Sequence, residues 1–305
     1  MTVLVTGGTG FLGSYVVDDL VRQGIDVVSY NRDHSVPSHP GVVAVQGELF
    51  DIPRLVRALN EHGIDRVIHT AAQSHPEISL DLPMSTFAAN VDGTLAVFEA
   101  ARMCETPPRI VNLSSECAYG DQDETVAVTE SSPTLPNTPY GVTKVAGELL
   151  GRVYSTAYGL DVVSLRVTEI YGPGLKLPEV LKEMIVAAVR GRPFVLESGG
   201  DHRFQFVHAS DVTRAALLAM AKPHLPQYVY NVSGGRQVTL AEVAALLKDM
   251  FPTCTVDVGP GHLAGWDRQG AFDISAAAGD FGYEPQISLS GGIATYAKWL
   301  TEHAC

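Results

Sequence analysis

Thr6-Gly7-Gly8-Thr9-Gly10-Phe11-Leu12-Gly13 follows the apolar run Val3-Leu4-Val5. It opens a stretch, residues 11 to 23, whose apolar side chains recur at helical spacing. Strand, glycine-rich turn and helix together make the first half of a βαβ unit. The glycines at 7, 10 and 13 form a G-x-x-G-x-x-G pattern, and each has its own physical task. Gly7 permits the tight turn, Gly10 lets the backbone approach a pyrophosphate, and Gly13 lets the helix pack closely on the strand. The helix start adds unpaired N–H groups and the positive end of its dipole. A glycine-rich turn alone is weak evidence, but at this place it predicts dinucleotide binding through Gly7, Thr9, Gly10, Phe11, Leu12 and Gly13.

Outward from this turn the first half of the chain alternates strand-like and helix-like segments. Strands are expected at 26–30, 42–46, 66–69, 109–113 and 161–166, and helices at 52–62, 84–103 and 140–158. This alternation predicts an α/β, Rossmann-type doubly wound parallel sheet with helices on both faces. After Tyr171-Gly172-Pro173-Gly174 the segments shorten and become richer in Gly and Pro. Here the pattern gives a helix at 177–190, short strands near Phe194 and Phe204, and a helix from Ser210. Val229 to Val232 is expected to rejoin the main sheet, with further helices at 239–250 and 289–300. The expected division is a dinucleotide-binding domain over 1–170, with 208–236 returning to it. A smaller C-terminal substrate lobe takes mainly 171–207 and 237–305. Ligands of such sheets lie beyond the carboxyl ends of the strands, which places the active site between the lobes.

Composition narrows the function classes. The 305 residues are 46% hydrophobic, ample for a buried core, and carry a formal net charge of −13. That charge argues against nucleic acid and anionic membrane as partners. No apolar run approaches the roughly 20 residues of a membrane span. The first residues enter a strand pattern directly, so a cytoplasmic location is expected. Cys104, Cys117, Cys254 and Cys305 show no zinc spacing, and the ten histidines form no ligand pair, so no metal site is expected.

Tyr140 and Lys144 stand four residues apart, on one face of the expected helix. A phenol with its ordinary pKa of about 10 is a poor base at neutral pH. A nearby ammonium is expected to lower it and make Tyr140 a usable acid/base. Any exposed helix can carry a Tyr-x-x-x-Lys pair. Ser115, just past the fifth strand, changes the balance, because it could hydrogen-bond a substrate oxygen at the same end of the sheet. The end of the second strand, Tyr30-Asn31-Arg32-Asp33, leaves NAD and NADP both open. Asn31 can bond a ribose hydroxyl but has no charge to repel a phosphate, and Arg32 could pair with one.

With these motifs the chain resembles the extended short-chain dehydrogenase/reductase family of NAD-dependent epimerases and dehydratases, and is similar to UDP-galactose 4-epimerase. TGGTGFLG, Ala71-Ala72-Gln73-Ser74-His75, Asn90-Val91-Asp92-Gly93-Thr94, Ser114-Ser115-Glu116-Cys117, Tyr140-Gly141-Val142-Thr143-Lys144 and Tyr171-Gly172-Pro173-Gly174 follow the family's order nearly end to end. The resemblance implies Ser115, Tyr140 and Lys144 as the catalytic set. It implies cofactor contacts from the first glycines, Asn31, Ala71, Ala72 and Asn90, and from Lys144 to the nicotinamide ribose. It also implies a homodimer in which the helices after Met84 and from Tyr140 pair as a four-helix interface.

The chain departs from the family pattern mainly around the substrate. An Asn that helps bind the sugar-nucleotide diphosphate is replaced by Glu169, whose carboxylate would repel one. A diphosphate-binding Arg aligns with Phe204, with Arg203 adjacent, and only Arg268 falls near the place of the second. Ser115-Glu116-Cys117 stands where 4,6-dehydratases carry Thr-Asp-Glu. Glu116 is expected to touch substrate. Cys117 either packs under the loop or serves with Glu116 as an acid/base pair. His75 is a candidate substrate contact, whereas His208 is expected to cap the helix near Ser210. Trp266 and Tyr119 fit pocket and core equally well. The expected activity is NAD(P)-dependent oxidation of a secondary hydroxyl of a sugar or sugar-nucleotide, leading to epimerisation. Alternatives are a dehydrogenase or reductase of a non-nucleotide sugar or polyol, a dehydratase using Glu116 and Cys117, and a non-catalytic dinucleotide sensor.

Overall fold

A computed structural model describes residues 1–33, 39 and 41–303. Cys305 lies outside the described residues. Seven parallel strands form the central sheet: β1 (Thr2–Thr6), β2 (Asp26–Asn31), β3 (Val43–Gln46), β4 (Arg66–His69), β5 (Arg109–Ser115), β6 (Val162–Val167) and β7 (Val229–Val232). Their spatial order is β3-β2-β1-β4-β5-β6-β7, all in parallel register. The order reverses between β1 and β4, and the crevice at that switch point opens beyond the strands' carboxyl ends. β5 and β6 are buried at every position, as a sheet covered on both faces requires.

Helices α1 (Phe11–Arg22), α2 (Ile52–Glu61), α3 (Gly93–Arg102) and α4 (Pro139–Tyr158) cover the first half. They are followed by α5 (Val180–Arg190), α6 (Ala209–Ala221), α7 (Leu240–Met250), α8 (Ser275–Phe281) and α9 (Leu289–Glu302). One core packs Val16, Leu20, Val212 and Ala216 of α1 and α6 against the sheet. A second packs Leu55, Val97, Phe98 and Tyr154 of α2, α3 and α4 against its other face. The third core belongs to the smaller lobe and joins α5, α7 and α9 through Leu181, Ile185, Leu247 and Ile293.

Two expectations need correction. The helix expected over 84–103 runs from Pro83 to Arg102 but is interrupted by a π turn at Ala88–Asp92 before α3, and a separate short helix, Pro76–Asp81, precedes it. Pro83 cannot continue the preceding turn, and the π turn carries Asn90, whose side chain bonds the backbone of Gln73. The segment assigned to the lobe beyond residue 237 is also divided. Ala277, Phe281 and Tyr283 leave the lobe and join the core against β7.

Candidate active site

The glycine turn is shaped by its lack of side chains. Gly7 has φ +70, and its N–H donates to the Tyr30 carbonyl at 2.8 Å, tying the loop to β2. A Cβ on Gly13 would sit 2.0 Å from the Gly7 carbonyl oxygen, and one on Gly10 would sit 3.0 Å from the same atom. The N-cap of α1 is Gly10, with no side-chain cap and no acid in the first turn. The helix therefore presents open N–H donors and unopposed positive potential, which suits a pyrophosphate. Phe11 and Leu12 open the helix, Phe11 edge-on to Tyr15 and Leu12 against the main core.

Asn31 turns inward. Its Oδ1 accepts from both the N–H and the hydroxyl of Thr9 at 3.1 Å, and its Nδ2 donates to Ser29 Oγ at 2.8 Å. It thereby braces the glycine loop from the end of β2, while Arg32 is exposed. Ala71, Ala72, Asn90, Leu113, Thr143 and Lys144 line a cavity continuous with the carboxyl ends of β4 and β5. Asn90 holds its wall by donating to Thr143 Oγ1 at 3.0 Å and accepting from the Gln73 N–H at 2.8 Å. The cradle and its open donors fit a dinucleotide.

Thr138 caps α4 by accepting from the Gly141 N–H at 3.1 Å, Pro139 starts it, and Gly159 ends it at φ 74. The caps set Tyr140 in the first turn and Lys144 one turn later. The Tyr140 N–H donates to Ser79 Oγ at 3.0 Å, which pins this turn to the helix Pro76–Asp81. Ser115 stands close enough to the Tyr140 phenol to draw its pKa down, against the larger effect of burial. Lys144 Nζ donates to the Leu113 carbonyl at 2.8 Å and lies 5.4 Å from the Tyr140 ring centroid. Ser115, Tyr140 and Lys144 thus meet at the carboxyl end of β5.

The expected lowering of the Tyr140 pKa is not what this arrangement produces. Burial, then the neighbouring Cys117, Glu169 and Glu116, push the phenol well above its ordinary value. Burial also holds Lys144 down to about 8. The ammonium is committed to a backbone carbonyl, and three acidic groups crowd the phenol. As it stands in the chain, Tyr140 is protonated.

On the other side of Tyr140 the cleft is walled by Glu116, Cys117 and Glu169 from the main domain and by Phe204, Trp266 and Asp267 from the lobe. Burial and then Asp267 push the Glu116 carboxyl up to about 8. Glu169 is raised further, by burial and by Glu179 and Glu116, so both carboxyls are held protonated near neutral pH. Burial and Glu116 raise the Cys117 thiol too. Arg203 stands exposed at the mouth, with Nη1 3.5 Å from Gln237 Oε1. His75 is buried against the Pro178 carbonyl at 3.5 Å, outside the lining of this cleft. His208 caps α6 through Nδ1, which accepts from the Ser210 N–H at 3.2 Å. Among the described residues, no group of His, Cys, Asp and Glu could hold a metal ion, and no helix is long and apolar enough to cross a membrane.

A model of the NAD dependent epimerase/dehydratase family matches residues 3–233. The chain belongs to that family. It is 32% identical to a dTDP-glucose 4,6-dehydratase of Xanthomonas campestris, over 98% of this chain and 92% of that one. The structure of a Thermotoga maritima UDP-glucose 4-epimerase with UDP-glucose superposes with a TM-score of 0.89 at 27% identity, covering 99% of each chain. A Streptomyces venezuelae dTDP-glucose 4,6-dehydratase with NAD and TYD bound gives 0.86 at 28% identity, over 99% of this chain and 98% of that one. The epimerase and dehydratase structures thus superpose at similar identity, and the sequence relative is a dehydratase.

For a member of this epimerase/dehydratase family, sequence reasoning missed the support behind the site. Glu148, one turn beyond Lys144, accepts from Ser114 Oγ at 2.5 Å and from Arg166 at 2.9 and 2.6 Å. The Arg166 guanidinium lies 4.4 Å over the ring of Tyr119, whose hydroxyl donates to Asn231 at 2.7 Å. Tyr119 is therefore a fully buried brace rather than a pocket wall, while Trp266 does line the cleft. The available signal was a Glu at Lys144 plus four, facing an Arg in the next strand.

Proposed function

We propose that this enzyme uses Ser115, Tyr140 and Lys144 to interconvert a secondary alcohol and its ketone on a sugar, with epimerisation as the outcome. The meeting of Ser115 and Tyr140 beside the cavity lined by Asn90 and Lys144 carries this reading. NAD, the form held in the Streptomyces venezuelae structure, would sit on the glycine cradle and in that cavity, and supplies a hydride acceptor and donor. Ser115 orients the substrate oxygen by hydrogen bonding. Tyr140, protonated in the chain as it stands, gives its proton to a carbonyl oxygen and recovers it in the reverse direction. Lys144, fixed on the Leu113 carbonyl, holds positive charge below Tyr140 and reaches toward a ribose in the cavity.

Elimination of water needs an acid and a base beside the ketone. Glu116 can serve as the acid, but Cys117 is kept a thiol by burial and by Glu116, so the expected second partner is missing. This favours epimerisation over dehydration. Purified enzyme should keep its cofactor and turn over with none added; strict dependence on added coenzyme would instead mark a dehydrogenase or reductase. We also propose a homodimer built on α3 and α4. Leu149, Val153 and Tyr158 are more than half exposed and Met84 is 82% exposed, apolar surface that pairing with a second copy would cover.

A further inference from the structure

We propose that Glu148 is a positioning residue for the reaction: its carboxylate keeps Lys144 an ammonium, and Ser114 and Arg166 hold that carboxylate in place. This rests on the reading that Ser115, Tyr140 and Lys144 handle the substrate's proton.

Three observations carry the assignment. The first is how little the cavity around Lys144 offers an ammonium. No acid is among the described residues that line it. His69, bonded to Thr6 and Thr94, is pushed down to about 3 by burial and by Lys144 itself, so it is neutral. Burial in such surroundings favours the uncharged amine. The second is which neighbours can oppose burial. Cys117 and Glu148 are the groups that draw Lys144 upward. Cys117 would do so as a thiolate, but burial and Glu116 keep it a thiol. Tyr140 is protonated as well. Glu148 is left as the negative charge that acts on Lys144 at neutral pH. The third is the grip on Glu148, which is 5% exposed and one helical turn beyond Lys144 on α4. Arg166 takes both of its oxygens, Nε at 2.9 Å and Nη2 at 2.6 Å, and Ser114 Oγ donates to it at 2.5 Å. A two-pronged guanidinium contact fixes the plane of a carboxylate as well as its charge. Ser114 also stands between Ser115 and Leu113, whose carbonyl accepts from Lys144 Nζ. One carboxylate thus sets the charge of Lys144 and anchors the strand end that carries its partners.

The test is NMR of enzyme carrying isotope-labelled lysine, following the Lys144 Cε and Nζ shifts against pH before and after loading with NAD. The Lys144 signal is identified by its loss in Lys144→Met. In the chain alone Lys144 should titrate at about 8. Glu148→Gln should lower its proton affinity by about tenfold or more, and Glu148→Asp, which keeps the charge, should restore most of it. The order of the variants should be the same with NAD. Glu148→Gln strands the buried Arg166 guanidinium, so the double variant Glu148→Gln, Arg166→Met is measured beside it. Both charges leave it together, so it should fold and show the same fall in Lys144 proton affinity. A Lys144 midpoint unmoved in both Gln variants, or lowered as far by Asp as by Gln, would overturn the proposal, since a brace alone would change Tm and not the titration. Turnover of UDP-glucose by NAD-loaded enzyme is read separately. Full turnover in Lys144→Met, with the Lys144 midpoint shifted as expected in the Glu148 variants, would defeat the catalytic reading alone. Lost turnover in Lys144→Met with an unmoved midpoint would defeat this inference alone.

Discussion

On the cofactor side of Tyr140, the polar side chains that brace the wall already have partners within the protein, and the backbone donors at the start of α1 stay open. Asn31 holds Thr9, Asn90 holds Gln73 and Thr143, and Lys144 holds the Leu113 carbonyl. On the substrate side, burial keeps two carboxyls and a thiol protonated, and Gln205 and His202 carry unpartnered atoms. The first region is a finished mould whose ligand has only to dock. The second is held together by protons and completed by what enters it. The difference teaches where specificity resides, since groups that already have partners discriminate little and groups lacking them penalise the wrong ligand.

Tyr140→Phe is the sharpest way to break this contrast. Turnover should fall by about 10²–10⁴-fold with NAD affinity unchanged, because the phenol serves the reaction and not the mould. A comparable fall in NAD binding would put Tyr140 on the cofactor side. Arg166→Ala should cost about 3–5 kcal/mol in denaturant unfolding, since it strands the buried Glu148 carboxylate. An unchanged midpoint would mean that the brace behind Ser114 contributes nothing. Gly13→Ala should weaken NAD binding and destabilise by about 1–3 kcal/mol, as its Cβ would lie 2.0 Å from the Gly7 carbonyl oxygen. Retained NAD affinity would show that the turn is not the mould described. Leu149→Glu, on the exposed face of α4, should shift the chain to monomer in sedimentation while leaving NAD binding intact.

The smallest expected effect is on pH. Glu116 titrates near 8 in the folded chain, above the ordinary carboxyl range. Its contribution to stability is complete below that ordinary range and is lost as pH rises through about 8. Thermal scans should therefore show Tm falling by roughly 2–4 °C from pH 5 to pH 8, and Glu116→Gln should flatten the slope. A rise in Tm over that window would contradict the raised Glu116 carboxyl.

The two regions were also unequally legible in the sequence. The glycine turn, the alternation of strands and helices and the Tyr140–Lys144 spacing followed from local rules, since periodicity and loop geometry act over a few residues. The inward turn of Asn31 and the Glu148–Arg166 brace depend on partners 18 to 22 residues away in the chain. The Glu116–Glu169 contact joins residues on different strands' ends, so neither position announced it. The sign of the Tyr140 shift was misread for the same reason. One lysine a turn away is visible in the sequence, whereas burial and three acidic neighbours are properties of the assembled cleft.

A crystal structure of the chain grown with NAD tests the division at Tyr140 most directly. The nicotinamide ring should lie against Tyr140 with Lys144 on its ribose, the glycine turn and Asn31 unmoved, and the Glu116–Glu169 side still open. A nicotinamide seated among Glu116, Glu169 and Trp266, or a glycine turn rebuilt around the pyrophosphate, would contradict it.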